Sequence, residues 1–360
     1  MNLRTVLGLA AGLAALLAVL LIAEWVSKPP QATGEHLFAG MREDINAVTS
    51  VTATAAGDNL IATVTRQDDR WIVEERDGYP ADTGKLRQLL LGLAEAQLVE
   101  AKTANREYYA RLGVEDVSAE DAGGVLIRVV TPSNQYAVIV GDQTRGEYRY
   151  VRREGEAGSW LIDKSPEAPT ETPKWLSATI IDIDAAVVRS VTIEHPDGQT
   201  INLEKANREA RDFSVTNMPA GRELSYASVA NTVGGVLDNL TLDDVAPAAE
   251  LGPDAVITTF TTFDGQVIHI ASKEVDSKYW IQLTGAYDAA LAEQQAAPQQ
   301  AETTAADAVQ TATGEDKTAA AQAAIDALNE RTRQWRYQIP QYKYEQLTRR
   351  WQDLLKNETD

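Results

Sequence analysis

A pattern that begins at Val48 returns at Val188, and this return constrains the fold of the chain more than any local motif does. In the first copy, VTSVTATAAGDNLIATVTRQDDRWIVEE holds three alternating runs separated by Gly57-Asp58-Asn59 and Gln67-Asp68-Asp69. In the second, VRSVTIEHPDGQTINLEKANREARDFSVTN turns first at Asp197-Gly198, and Phe213 stands where Trp71 stands in the first. Alternation punctuated by Gly, Asp and Asn is the mark of half-buried antiparallel strands. Trp71 and Phe213 are accordingly expected in the core, although an exposed aromatic there would suit a binding anchor.

Each meander leads to a helix. Over Thr83–Leu98 the residues Leu86, Leu89, Leu90, Leu93 and Leu98 recur at helical spacing, and Val229, Val233, Val236, Leu237 and Leu240 do so in the second half. Asp82 and Ser225 are the expected N-caps. Leu112-Gly113 and Leu251-Gly252 then precede further strands, LIRVV, YAVIVGD and YRYVRR in one half, VITTFTTFDGQVIHIAS and KYWIQL in the other. The expected fold is therefore α+β, two tandem repeats of an antiparallel β-meander plus helix, spanning 41–178 and 179–356. A Pro/Thr-rich break closes the first copy before TIIDID. An Ala-, Gln- and Thr-rich insert at about 288–321 interrupts the second, expected as a mobile loop or a frayed helix. Order is expected to return with RQWRYQI and the amphipathic YEQLTRRWQDLL, whose Tyr344, Leu347, Trp351 and Leu354 share one face.

Ahead of the repeats, Val6 to Ala23 contains no charge and is nearly long enough to cross a hydrocarbon core of roughly 30 Å as a helix. Trp25 suits the interface, and Pro29-Pro30 end the segment. Residues 1–25 read as a retained anchor and 26–40 as a linker; the rival reading, a cleaved signal peptide, would have a shorter apolar region and an A-x-A-like site. Arg4 on the short side and an acidic bulk beyond point to a cytoplasmic N-terminus and a periplasmic remainder, in a single-pass protein of the bacterial inner membrane. Gly8, Gly12 and Ala15 share a face on which two such helices approach closely, the expected route to a homodimer, although an Ala/Leu/Gly-rich span also produces this spacing by chance.

DRWIV, YPAD, EAKTANREYYARLGVED, VIVGD, YRYVR and PKWL, in this order over most of Met41 to Leu283, resemble the bacterial family of domain of unknown function 4340. The resemblance implies a membrane-anchored envelope protein, from a family often encoded beside gliding-motility-type ABC transporter components, with no established catalytic residues. It implies ABC transporter subunits or other envelope proteins as partners, besides the membrane itself.

The formal net charge of −20 opposes a sequence-independent grip on nucleic acid. The absence of cysteine excludes disulfides and thiolate chemistry, and His36, His195 and His269 show no metal-binding spacing. Asp182 with Asp184, and Asp243 with Asp244, are the nearest approach to paired carboxylates, but the calcium-loop pattern counted from Asp182 meets Ile193 where an acid is required. Gly314 to Thr318 lacks the spacing of a phosphate loop, and Gly234-Gly235 reads as a close-packed spot in a helix. No metal and no cofactor is expected. The basic, aromatic-rich stretch 330–356 reads as aromatics turned inward and cations in water, or else as a patch for an anionic partner. Candidate interaction residues are Tyr108, Tyr109, Arg349 and Arg350.

Three functions follow in order of preference. The first is a non-catalytic periplasmic interaction module, accessory to an ABC-type transporter or envelope complex. The second is an envelope hydrolase with a cleft between the repeats, using carboxylates near Asp182 or Asp243, and the third is a periplasmic ligand sensor or carrier.

Overall fold

The computed structural model describes residues 33–144, 146–226, 228–296 and 314–356. The apolar run 6–23, with Gly8, Gly12 and Ala15, lies outside them. Among the described residues no helix is long and apolar enough to cross a membrane. The chain is α+β, with antiparallel sheets and few helices, and divides into two compact units, Met1–Ile72 with Thr83–Trp175 and Val73–Asp82 with Leu176–Asp360.

The strands of the first half are β1 (Ser50–Ala55), β2 (Asn59–Gln67), β3 (Arg70–Val73), β4 (Tyr79–Pro80), β5 (Leu98–Ala101), β6 (Val125–Val130), β7 (Gln135–Gln143), β8 (Arg149–Arg153) and β9 (Ser159–Ile162). They form a nine-stranded sheet in the order β4-β3-β2-β1-β6-β7-β8-β9-β5. Its turns fall where Asp and Gly tolerate left-handed backbone: Gly57 and Asp58 between β1 and β2, Asp68 between β2 and β3. The Thr83–Glu95 helix buries Leu86, Leu89, Leu90, Leu93 and Ala94, and fully burying each leucine stabilises the fold by roughly 1.5–3 kcal/mol. It lies beside the short Met41–Asp44 helix, whose Met41 is fully buried. Leu98, expected at the end of this helix, belongs instead to β5, because the helix ends at Glu95 and the chain passes directly into strand pairing with β9. Trp71 is half-buried, so only Phe213 of that pair is a true core residue.

In the second half the strands are β10 (Thr179–Ile181), β11 (Val188–Glu194), β12 (Thr200–Glu204), β13 (Ser214–Val215), β14 (Leu240–Thr241), β15 (Asp244–Pro247), β16 (Val256–Thr262), β17 (Gln266–Val275), β18 (Lys278–Tyr287) and β19 (Trp335–Gln338). Eight of them make a sheet in the order β13-β12-β11-β16-β17-β18-β19-β15, and β10 pairs with β14 separately. The long β17–β18 hairpin turns at Asp276 and Ser277, both left-handed, the backbone that matches a two-residue turn to strand twist. The insert contributes the Ala289–Ala296 and Gly314–Thr332 helices. The latter docks on β18 through Ile325 and Leu328 at Gly285, while the Asn329 amide accepts from the Gly285 N–H at 2.7 Å and donates to its carbonyl at 2.8 Å.

Two helices differ from expectation. The second-half helix covers only Val229–Gly234, preceded by Ser228 rather than capped by Ser225. Val236, Leu237 and Leu240 are buried as expected, but in the turn and strand that follow. Near the C-terminus the expected continuous helix breaks at Thr348–Arg350 into Gln341–Leu347 and Trp351–Leu354, the second boxed by reciprocal bonds between Arg350 and Asp353.

Candidate functional site

Phe213 sets up the most distinctive local geometry of the second unit. It is buried, and a Cβ on Gly234 would stand 2.1 Å from its ring, so the Val229–Gly234 helix reaches this position only because Gly234 has no side chain. The Asn231 amide secures the contact, accepting from the Phe213 N–H at 2.9 Å and donating to Asp212 at 2.6 Å. Beyond Gly235 the chain turns back through Asn239, which adopts left-handed backbone with its N–H donating to Asp182.

The carbonyls of Val236 and Asp238 in this turn have no helical or sheet partner. Lys343, from the Gln341–Leu347 helix, supplies one: its Nζ donates to both, at 2.8 and 2.9 Å. The side chain is buried, and burial lowers the ammonium pKa while the nearby Asp238 carboxylate opposes the shift. Charge-assisted bonds of this kind are the stronger class and offset the cost of taking the cation out of water.

Between the turn and the two helices lies an open recess of about 410 Å³. Tyr342 stands at its margin and is 57% exposed. The side chains of Asp238, Asn239, Tyr342 and Gln346 face it without a hydrogen-bond partner among the described residues. Asn231 and Lys343 also line it, and each makes two hydrogen bonds to the protein. Its lining thus combines an ammonium tied to main-chain carbonyls, a carboxylate close to that charge, two amides without a hydrogen-bond partner and a phenol ring.

The candidate residues chosen from sequence lie elsewhere. In the first unit Tyr108 is 45% exposed, with the Arg111 guanidinium 5.0 Å from its ring centre. Tyr109 is buried; its hydroxyl donates to Ala157 at 2.6 Å and the Arg152 guanidinium lies 4.6 Å over its ring. An interaction surface at these two tyrosines therefore reduces to Tyr108, because Tyr109 is spent on the core. In the second unit Arg350 is held by Asp197 at 2.6 Å and Gln199 at 3.0 Å, and the Arg349 carbonyl accepts from His195 Nε2 at 2.9 Å. Arg350 through its side chain, and Arg349 through its main-chain carbonyl only, fasten the C-terminal helices to the β11–β12 hairpin.

The carboxylates considered for hydrolysis are likewise engaged in structure. Asp184 accepts from Ala186 N–H at 2.7 Å, and Asp244 pairs with Arg76 through two bonds of 2.6 and 3.0 Å. Among the described residues no cluster of three His, Cys, Asp or Glu side chains is placed to hold a metal ion.

Tyr342 and Lys343 reverse the expectation of aromatics inward and cations in water. The signal was present: Lys343 lies four residues before the buried Leu347, hence on the same helical face, while Tyr342 is one position out of phase.

Fold and site together define an α+β protein of paired antiparallel-sheet units, the second carrying an open polar recess. The family model described as Domain of unknown function (DUF4340) matches residues 71–256, and the chain belongs to that family. The match includes Asn231–Asn239 of the recess and ends before Tyr342, Lys343 and Gln346. Neither a curated protein nor a solved structure matches the chain.

Proposed function

We propose that the chain is a non-catalytic interaction module of the bacterial envelope, tethered to the inner membrane by residues 6–23 with its bulk in the periplasm, and accessory to an ABC-type transporter or envelope complex. The observation that carries this reading is the recess, where the Lys343 ammonium already donates to two main-chain carbonyls and the groups without a hydrogen-bond partner are suited to holding rather than transforming a ligand. The uncharged run 6–23 and the acidic bulk beyond it support the tether. A recess of this kind also suits the third reading, a ligand sensor or carrier.

The module is built as a tandem duplication. Its support is the strand order: β3-β2-β1-β6-β7-β8-β9-β5 in one sheet and β13-β12-β11-β16-β17-β18-β19-β15 in the other are the same sequence displaced by ten strands. Matching details accompany it. Gly113 and Gly252 both take left-handed backbone after a leucine, and each half ties its leading segment to the stretch after its helix, Leu37 N–H to Ala96 and Leu242 N–H to Ala178.

A photo-crosslinking residue placed at Tyr342, and separately at Tyr108, in the full-length protein in cells tests the module. Capture of an ABC-transporter subunit that persists when the anchor is replaced by an unrelated span is the expected result. Failure of both positions to capture any specific envelope protein overturns it.

A further inference from the structure

The recess of the second unit has a composition that narrows its ligand beyond "polar". Tyr342 offers an exposed ring at one margin, and Gln346, one turn further along the same helix face, offers a free amide. Across from them, adjacent in the turn, stand the Asp238 carboxylate and the Asn239 amide. Three planar hydrogen-bonding groups around one aromatic face match a particular chemistry. A pyranose presents an apolar face of C–H groups that lies against an aromatic ring, and vicinal hydroxyls whose spacing suits the two heteroatoms of a carboxylate or amide.

Charge narrows it further. The ammonium of Lys343 is tied to two carbonyls, the Asp238 carboxylate is not paired by hydrogen bond, and the chain carries a formal charge of −20. The cation of the lining, Lys343, already donates to two carbonyls and sits close to the Asp238 carboxylate, so the recess is near neutral and offers a phosphate or uronate no net attraction. The recess is open toward solvent, as a site for one or two residues of a longer chain must be, and its volume of about 410 Å³ is within the range for small-ligand sites.

We infer that this recess is a saccharide-binding site that takes a neutral pyranose unit of an envelope glycan, with Tyr342 as the stacking platform and Asp238, Asn239 and Gln346 as hydroxyl partners. The inference rests on reading the recess as a binding site and adds the ligand class.

The test uses the full-length chain in micelles of a detergent without a sugar headgroup, with neutral cello-, malto- and chito-tetraose and anionic tetragalacturonate as probes in saturation-transfer NMR. Transfer to at least one neutral probe and none to tetragalacturonate is expected. Tyr342→Ala should weaken binding about tenfold and Asp238→Asn by a similar factor, whereas Tyr342→Phe, which keeps the ring, stays within about threefold of the parent. Both side chains lie at the rim and make no hydrogen bond among the described residues, and a circular dichroism spectrum matching the parent checks that each variant is folded. No transfer to any neutral probe, or transfer unchanged by Tyr342→Ala, overturns the inference. Crosslinking from Tyr342 to a transporter subunit in a protein that binds no saccharide would remove the saccharide assignment and leave the module standing; saccharide binding without protein capture would do the reverse.

Discussion

Tyr79 shows how much one side chain depends on where the chain carries it. It lies in Val73–Asp82, the segment of the first meander that clusters with the second unit, and its ring packs edge-on against Trp335 with centres 5.1 Å apart. Burial raises its hydroxyl pKa to about 12 and pushes that of neighbouring Tyr337 up as well. In the unfolded chain both ionise near 10, so between about pH 10 and 12 the unfolded state has released protons that the folded state retains. The stabilising contribution is complete below pH 10 and is lost as pH rises through the folded value. Denaturant unfolding of the full chain at increasing alkaline pH should show this loss, with a shallower slope in Tyr79→Phe; equal slopes would mean that Tyr79 is not protected. Nothing near Tyr79-Pro80 in the sequence announces this partner, because Trp335 lies more than two hundred residues away.

At the scale of elements, the strands were the most legible part of the chain and the helices less so. The turns Gly57-Asp58, Asp68 and Asp197-Gly198 fall between strands as the punctuation implies, since a period of two and a residue tolerant of left-handed backbone are local properties. The Val229–Gly234 helix is shorter than its apolar spacing implies, because Val236, Leu237 and Leu240 remain buried after the chain has left the helix. Its close approach to Phe213 yields a specific expectation. Gly234→Ala gains helix propensity of roughly 1 kcal/mol but forces a methyl into a buried ring, and should destabilise the protein by about 1–3 kcal/mol net. In Phe213→Leu the same methyl finds space, so the two changes together should cost less than their sum in a double-mutant unfolding cycle. Simple additivity would show that the contact is relieved elsewhere.

For the whole molecule, the proposed anchor would decide where these surfaces act. The proposed topology predicts that the full-length protein stays with membranes through an alkaline carbonate wash. A C-terminal tag should resist added protease in intact cells and be digested once the outer membrane is opened. A tag digested only after the inner membrane is breached would place the bulk in the cytoplasm and overturn the topology. The candidate site was less legible than the fold. Its parts come from the turn at 235–239 and a helix a hundred residues later, and only their meeting distinguishes Tyr342 from the other tyrosines of the C-terminal stretch.

Sequence alone determined the α+β class, the positions of most strands and turns, and the family, because alternation, glycine and aspartate turns and ordered motifs are properties of neighbouring residues. Tertiary structure alone decided that β1 pairs with β6 and β5 with β9, that Val73–Asp82 joins the second unit, that Tyr109 turns inward, and that Lys343 is buried beside an exposed Tyr342. Pairing and burial depend on which distant carbonyls and apolar faces remain to be satisfied once the chain has closed on itself, and no local pattern encodes that.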